Sequence, residues 1–563
     1  MSNIYDKLST ERKKMQDEGV MPLWYSTSGW QLFKEKYLYQ AANPKEQYER
    51  IARTLSAHTP DPDKFFDKFF HLLWSGWLSP ATPVLANTGT SRGLPVSCAG
   101  SYISDSIHEI YSSKLEVAML TKYGFGTASY LGDIRPRGKT ISVGGKAEGV
   151  MPIIKGFQSD MEYVSQGNAR RGSWAGYLPI DHGDFDEVCG YLESNPDGNN
   201  IGWCVSSEFI GKLSSGDKLA LERYQKAMKT KMVTGKGYFF FPDKANDKRP
   251  QWYKDQGLDI KSPQLCNEIM LHSSEEYTYT CVLSSMNLSY YNEWKNTDAA
   301  FIATVFLDCV VQEFIERAKN IRGLEKAISF TKKSRALGLG VCGYHTYMQK
   351  NMIPFESVEA QLWNVEVFKM LDTESKRASA WVASVYGEPE WMKGYGYANT
   401  HRIAVAPTKS TALIMGGVSE GINPDTAYVF TQRTPAGEVD RVNPVLLSIM
   451  KDKGVFNKAE IGKIRDAMGS VQGVDWLTDD EKEVFKTAFE IDQHMVVKQA
   501  SKRSEVGIDQ YQSLNTFFRA GSDEGYINSV HKKAFLDEHI LGLYYIYSQA
   551  GVQASKDECE SCQ

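Results

Sequence analysis

The sequence predicts an α/β fold, and three observations carry that reading. Short apolar runs bounded by Gly, Ser and Pro recur from about residue 78 onward, as at 150–154, 235–241 and 403–407. They alternate with stretches of helical periodicity at 298–321, 358–385 and 478–501. With 563 residues and 42% apolar content, the chain can bury a large core. Alternation of this kind favours a mostly parallel sheet flanked by helices.

Residues 1–75 read as helical. Glu46, Tyr48, Ile51, Ala52 and Leu55 recur at helical spacing, and Phe65, Phe66, Phe69, Phe70, Leu73 and Trp74 form a second apolar stripe. Residues 76–548 read as one compact α/β unit, and 549–563 as a flexible tail. No internal repeat or low-complexity segment interrupts them. A net charge of −5 argues against a nucleic-acid scaffold, which would carry a basic stripe. No 18-residue apolar run predicts a membrane span, and the start, Met1-Ser2-Asn3-Ile4-Tyr5, lacks the apolar core of a signal peptide. Nine cysteines, an odd number in a long chain, do not form a secreted disulfide framework. A cytoplasmic protein with reduced thiols is expected.

The cysteines are the most informative residues. Cys266 lies in Gln264-Leu265-Cys266-Asn267-Glu268, and Cys98 and Cys281 lie in other apolar stretches. On an extended loop Cys266 and Glu268 would share a face, so a thiol and a carboxylate could divide labour in one pocket. A buried Cys beside a surface Glu is the plainer alternative. Buried free cysteines also serve as small hydrophobes. The chain ends in Cys559-Glu560-Ser561-Cys562-Gln563, a Cys-x-x-Cys on a polar tail with nothing to pack against. A travelling dithiol that exchanges with a buried cysteine pair delivers two electrons and renews a reductase after each turnover. A zinc half-site is the rival reading, although no further ligands lie nearby in sequence.

Three other segments carry candidate chemistry. Thr408-Lys409-Ser410-Thr411 follows an apolar run and opens a helix, which makes either an anion cradle or an ordinary cap. The loop Ser165-Gln166-Gly167-Asn168-Ala169-Arg170-Arg171 either reads a base or phosphate or is a solvated turn. Tyr544-Tyr545 is either core filling or a pair of phenols that passes an electron and a proton.

Taken in order, these segments resemble the large catalytic subunit of ribonucleotide reductase over roughly residues 70–563. The matching stretches include Leu78-Ser79-Pro80-Ala81-Thr82-Pro83 through Ser97-Cys98, Asp105-Ser106, Gly124-Phe125-Gly126 and Ser165-Gln166-Gly167. They continue with Leu265-Cys266-Asn267-Glu268, Arg335-Ala336-Leu337-Gly338-Leu339-Gly340-Val341, Ala406-Pro407-Thr408, Gln512-Ser513-Leu514-Asn515, Leu543-Tyr544-Tyr545 and the terminal dithiol. The resemblance implies a ten-stranded α/β barrel built from two five-stranded halves, with Cys266 on a loop at its centre. It implies that Cys266 becomes a transient thiyl radical, that Glu268 acts as base, and that Cys98 and Cys281 supply the reducing equivalents. Cys559 and Cys562 would then reduce the resulting disulfide and be reduced by thioredoxin or glutaredoxin.

By the same resemblance, Thr82, Ser97, Gly124, Thr408, Lys409, Ser410 and Thr411 hold the ribonucleoside diphosphate. Asp105, Ser106, Ile107 and Arg135 bind a dNTP or ATP effector at a homodimer interface, and Gln166, Gly167, Asn168 and Arg170 relay effector identity. Tyr544 and Tyr545 pass the radical from a metal-containing small subunit, so no metal or other cofactor is expected in this chain. The alternatives are an adenosylcobalamin-dependent reductase and an inactive regulatory paralogue. The missing C-terminal glycine motif disfavours a glycyl-radical type. Three departures stand out: Gln264 replaces the family's usual Asn, too few residues precede the match for an ATP-cone, and Lys409 stands where some relatives are acidic.

Overall fold

The computed structural model describes residues 4–166, 170–434 and 437–549. The first part is helical, with helices Ile4–Asp17, Thr27–Leu32, Pro44–Ser56 and Pro62–Trp74. Asn43 and Asp61 cap the last two by accepting from the amides of Glu46 and Lys64, and each helix begins with Pro, whose missing N–H would have no partner there. Phe65 and Phe69 anchor this layer to the body of the molecule. Their rings lie 5.4 Å from Trp381 and 5.3 Å from Phe306.

The body is built on one nine-stranded sheet. Its strands are β1 (Leu78–Pro80), β2 (Cys98–Tyr102), β3 (Gly126–Tyr130), β4 (Trp174–Pro179), β5 (Asn200–Cys204), β6 (Tyr238–Phe240), β7 (Tyr279–Asn287), β8 (Leu337–Cys342) and β9 (Gly542–Leu543). Strands β2 to β6 run parallel in sequence order, which gives one five-stranded set. At one edge β9 pairs antiparallel with β6. At the other, β7 pairs antiparallel with β2 and with β1, and parallel with β8. Beyond β8 the chain continues by single contacts. The Leu337 and Leu339 amides donate to the His401 and Arg402 carbonyls, and Val405 bridges Gln512. The mostly parallel α/β core and the helical start agree with the sequence reading. The described residues show nine strands in this sheet.

Three local expectations need correction. Residues 150–154 are not a strand; they open the helix Met151–Tyr163, with Pro152 in its first turn. Met151, Ile153, Ile154, Phe157 and Met161 are buried at helical spacing, which the short window at 150–154 concealed. The helical stretch at 478–501 is two helices, Asp479–Val484 and Gln493–Val506, each with its own cap, Thr478 and Asp492. The run at 403–407 makes one bridge rather than a strand. Among the described residues no helix is long and apolar enough to cross a membrane.

Candidate active site

Cys266 sits in a turn inside the molecule and is 1% exposed. The loop is pinned from several elements. Tyr177 on β4 donates its hydroxyl to the Gln264 carbonyl at 2.9 Å, and the Tyr511 amide donates to the Glu268 carbonyl at 3.0 Å. Asn267 takes a left-handed conformation at φ 69° and donates its side-chain amide to the Phe239 carbonyl on β6 at 3.1 Å. Gly542 on β9 lets this amide approach, since a Cβ there would stand 2.5 Å from Asn267 Nδ2. The loop is therefore not extended, and the period-two argument for Cys266 and Glu268 fails. Ser513 joins them instead. Its hydroxyl contacts the Cys266 carbonyl at 2.7 Å and Glu268 Oε2 at 3.1 Å.

Glu268 is fully buried, contrary to the surface alternative. Burial pushes its carboxyl up to about 7, partly offset by hydrogen bonds from Gln264 and Ser513. Its Oε1 has no protein hydrogen-bond partner. A carboxyl tuned near neutrality with one oxygen open is suited to accept or return a proton. Gln264 is occupied by the protein itself. Its Oε1 accepts from the Glu268 and Ile269 amides, both at 3.1 Å, while its Nε2 lies 3.8 Å from Cys98 Sγ.

Cys98 and Cys281 face each other directly across the antiparallel pair β2–β7. Opposed residues in such a pair have Cα atoms roughly 4.5–5.5 Å apart, within the range that a disulfide spans. Neither is in a disulfide here, and burial pushes Cys281 well above its usual range. Gln510 donates to Cys281 Sγ at 3.6 Å and to the Leu337 carbonyl at 2.7 Å, and it accepts from the Met270 amide at 3.2 Å. Gln264 and Gln510 thus tie Cys98 and Cys281 to the backbone that follows Cys266.

Tyr544 and Tyr545 lie in the link between β9 and the strand Ile546–Ser548. They are 1% and 7% exposed, with ring centroids 4.2 Å apart, and they share an apolar cluster with Cys266. Tyr238 packs on both, at 4.6 and 5.1 Å. Beneath them Lys231, wholly buried on helix Lys218–Thr234, donates to the carbonyls of Tyr544 and Gly237. Burial lowers its ammonium to about 7.

The remaining candidates divide. Ser97, Thr408 and Thr411 line one cavity with Ser79 and Ser284, beside the strand that carries Cys281. Thr408 is left-handed at φ 56°, held by the Gly421 amide donating to its hydroxyl at 2.8 Å. Thr82, Gly124, Lys409 and Ser410 do not line this cavity; Thr82 Oγ1 contacts the Tyr37 hydroxyl at 3.0 Å. Arg135 pairs with Asp105, next to Ser106, which caps helix Ile107–Lys122, and Ile107 is exposed. These four therefore meet at the surface. Gln166 and Arg170 lie on short paired strands, whereas Gly167, Asn168, Cys559 and Cys562 lie outside the described residues.

Sequence reasoning missed Tyr177, Tyr238, Lys231 and Gln510 as site residues. Lys231 offered no signal, because a lysine within an otherwise charged helix reads as a solvated face. Gln510 had a faint one, since it lies two residues before the Gln512-Ser513-Leu514-Asn515 stretch; Gln510, Gln512 and Ser513 are all buried.

Residues 96–222, 218–394 and 389–546 match the family described as "Ribonucleotide reductase, barrel domain", and 23–93 match "Ribonucleotide reductase, all-alpha domain". A putative ribonucleoside-diphosphate reductase large subunit of Frog virus 3 (isolate Goorha) is 31% identical over 549 residues, covering 92% of this chain and 95% of that protein. The ribonucleoside-diphosphate reductase large subunit of Danio rerio is 26% identical, covering 94% and 76%. Among solved structures, the Actinobacillus ureae class Id ribonucleotide reductase alpha subunit superposes with a TM-score of 0.86. It shares 37% identity and covers 96% of this chain and 99% of that one.

Proposed function

Because the chain belongs to the ribonucleotide reductase large-subunit family, we propose that it is a class I catalytic subunit that reduces ribonucleoside diphosphates. The observation that carries the reading is the burial of Cys266 beside Glu268 in a framework that also holds Cys98 and Cys281.

On this reading Cys266, as a thiyl radical, removes the 3′-hydrogen atom of the ribose and returns it at the end. Glu268 takes the proton of the 3′-hydroxyl through its open oxygen and gives it back when the 3′-hydrogen atom is returned. Cys98 and Cys281 give two hydrogen atoms, one set to carbon 2′ and one to the departing hydroxyl. The 2′-hydroxyl leaves as water, the C2′–H bond forms, and the two thiols become a disulfide. The interior position keeps the radical from solvent and from stray hydrogen donors. Cys559 and Cys562 then reduce the disulfide by exchange, and thioredoxin or glutaredoxin reduces them in turn.

The radical originates in the metal centre of a partner small subunit and reaches Cys266 through Tyr545 and Tyr544. Ser97, Thr408 and Thr411 would hold the substrate phosphates, with Thr82, Gly124, Lys409 and Ser410 around them. A dNTP or ATP effector would bind at Asp105, Ser106, Ile107 and Arg135, with the loop at 166–170 carrying its signal. The exposed stripe Ile107, Tyr111 and Leu115 on one helix face suits a homodimer contact beside that site. In domain terms, 1–75 form a helical region, 76–548 a ten-stranded barrel in two halves, and 549–563 a redox tail.

The test is CDP reduction with dithiothreitol, adding either the cognate small subunit or adenosylcobalamin. Turnover is expected only with the small subunit, and Cys266→Ser should abolish it while leaving thermal stability unchanged. Turnover by the Cys266→Ser variant would overturn the radical-cysteine mechanism.

A further inference from the structure

The tyrosine pair does not end at Tyr545. Tyr547 follows on the strand Ile546–Ser548, and its ring lies 5.7 Å from that of Tyr545. It is half-buried, whereas Tyr545 is 7% and Tyr544 1% exposed, so the three phenols run from near the surface to the interior. Tyr547 packs against two clusters at once. One contains Cys266, Tyr544 and Tyr545, and the other contains Ala488, Phe489 and Phe517.

The outer contact is a parallel stack on Phe517, with centroids 5.2 Å apart and planes 11° from parallel. The strand Thr516–Phe518 pairs in register with Ile546–Ser548, placing Phe517 opposite Tyr547. Ring and backbone together therefore fix the phenol's position. Phe517 and Phe489 also line an open cleft of about 340 Å³ with Glu356, Arg519 and Tyr526. Tyr547 thus stands between that outer cleft and the buried pair.

We propose that Tyr547 is the outermost member of a three-tyrosine relay and accepts the oxidising equivalent before Tyr545. This deepens the relay reading given above and rests on it. In the first step the oxidised group of the small subunit takes one electron and one proton from Tyr547, and is itself reduced. In the second, Tyr547 recovers one electron and the phenolic proton from Tyr545, becoming a phenol again while Tyr545 becomes the tyrosyl radical. The same exchange passes to Tyr544 and then to Cys266, whose S–H bond breaks.

The experiment uses the full-length chain with the cognate small subunit, CDP and an effector. Tyr547→Phe keeps the ring stacked on Phe517 and removes only the hydroxyl. It should cut turnover at least about tenfold with CDP binding and melting temperature unchanged. With 3-aminotyrosine placed at 547, electron paramagnetic resonance should show an aminotyrosyl radical at that position. Wild-type turnover by Tyr547→Phe would sink the inference, as would an aminotyrosine that stays diamagnetic at 547 but forms a radical at 545. In either case inactive Tyr545→Phe and Tyr544→Phe variants would leave the two-tyrosine reading standing. Full activity in those variants too would remove the relay itself.

Discussion

The two thiol neighbourhoods are built on opposite principles. Cys98 and Cys281 take their geometry from backbone register, because β2 and β7 set them face to face. Cys266 takes its geometry from side chains, since Tyr177, Asn267 and Ser513 pin an irregular turn. On the proposed mechanism the pair forms and breaks one bond of fixed length, which suits a sheet with little freedom to drift. The lone sulfur would approach a sugar, which suits a turn pinned by side chains that neighbouring groups can tune. The packing differs likewise: the loop thiol lies among tyrosines, and the strand pair lies among Tyr279, Leu283 and Phe330.

Four variants break or sharpen this contrast. The largest effect should belong to Cys559→Ser with Cys562→Ser, because the proposed redox tail would serve the strand pair and not the loop. Thioredoxin-driven turnover should vanish while dithiothreitol-driven turnover persists; an equal fall in both would end the shuttle role. Next, Glu268→Gln should lower turnover by about 10²–10⁴-fold. The wild-type rate should rise with pH through about 7 as Glu268 loses its proton, and the variant's profile should lack that rise.

The stability sign for Glu268 is opposite to the catalytic one. A carboxyl raised in the folded state favours folding most when it is protonated. Its contribution is full below the unfolded value near 4.5 and is lost as pH climbs through about 7. Glu268→Gln should therefore melt higher than wild type at pH 8, with the gap closing toward pH 5.

Gly338→Ala probes the strand pair alone. Its Cβ would meet Leu283 Cδ2 at 2.3 Å and Cys281 Sγ at 3.1 Å, so it should destabilise by about 1–3 kcal/mol and hinder oxidation of the pair. Thiol titration after a single turnover would read that directly. The smallest change is Ser513→Ala. It removes a hydrogen bond that holds the Glu268 carboxyl down, so the acidic limb of the rate profile should move up. A downward shift would contradict the assigned polarity of that bond.

The sequence made the alternating core, the helical start and the singled-out cysteines legible, because each leaves a local mark in periodicity or residue type. The position of Cys266 relative to Glu268 was not legible. Its basis is a left-handed Asn267 and a serine some 245 residues downstream, and neither follows from spacing. For the tyrosine pair, too, adjacency alone does not decide between core filling and a relay; the link after β9 that lets both rings enter the cluster of Cys266 depends on the tertiary fold. Lys231 shows the limit most plainly: a charged residue inside a charged helix is interior, where it donates to the carbonyl of Tyr544, 313 residues downstream.

Strand β2 begins the five parallel strands, and β7 begins what lies beyond them, so the opposed cysteines straddle the junction of the two sheet regions. Every catalytic cycle would fasten and release a covalent clasp across that junction. The oxidised protein should be stiffer there, and amide exchange in β2 and β7 should slow on oxidation, so that the backbone itself records whether the enzyme has been recharged.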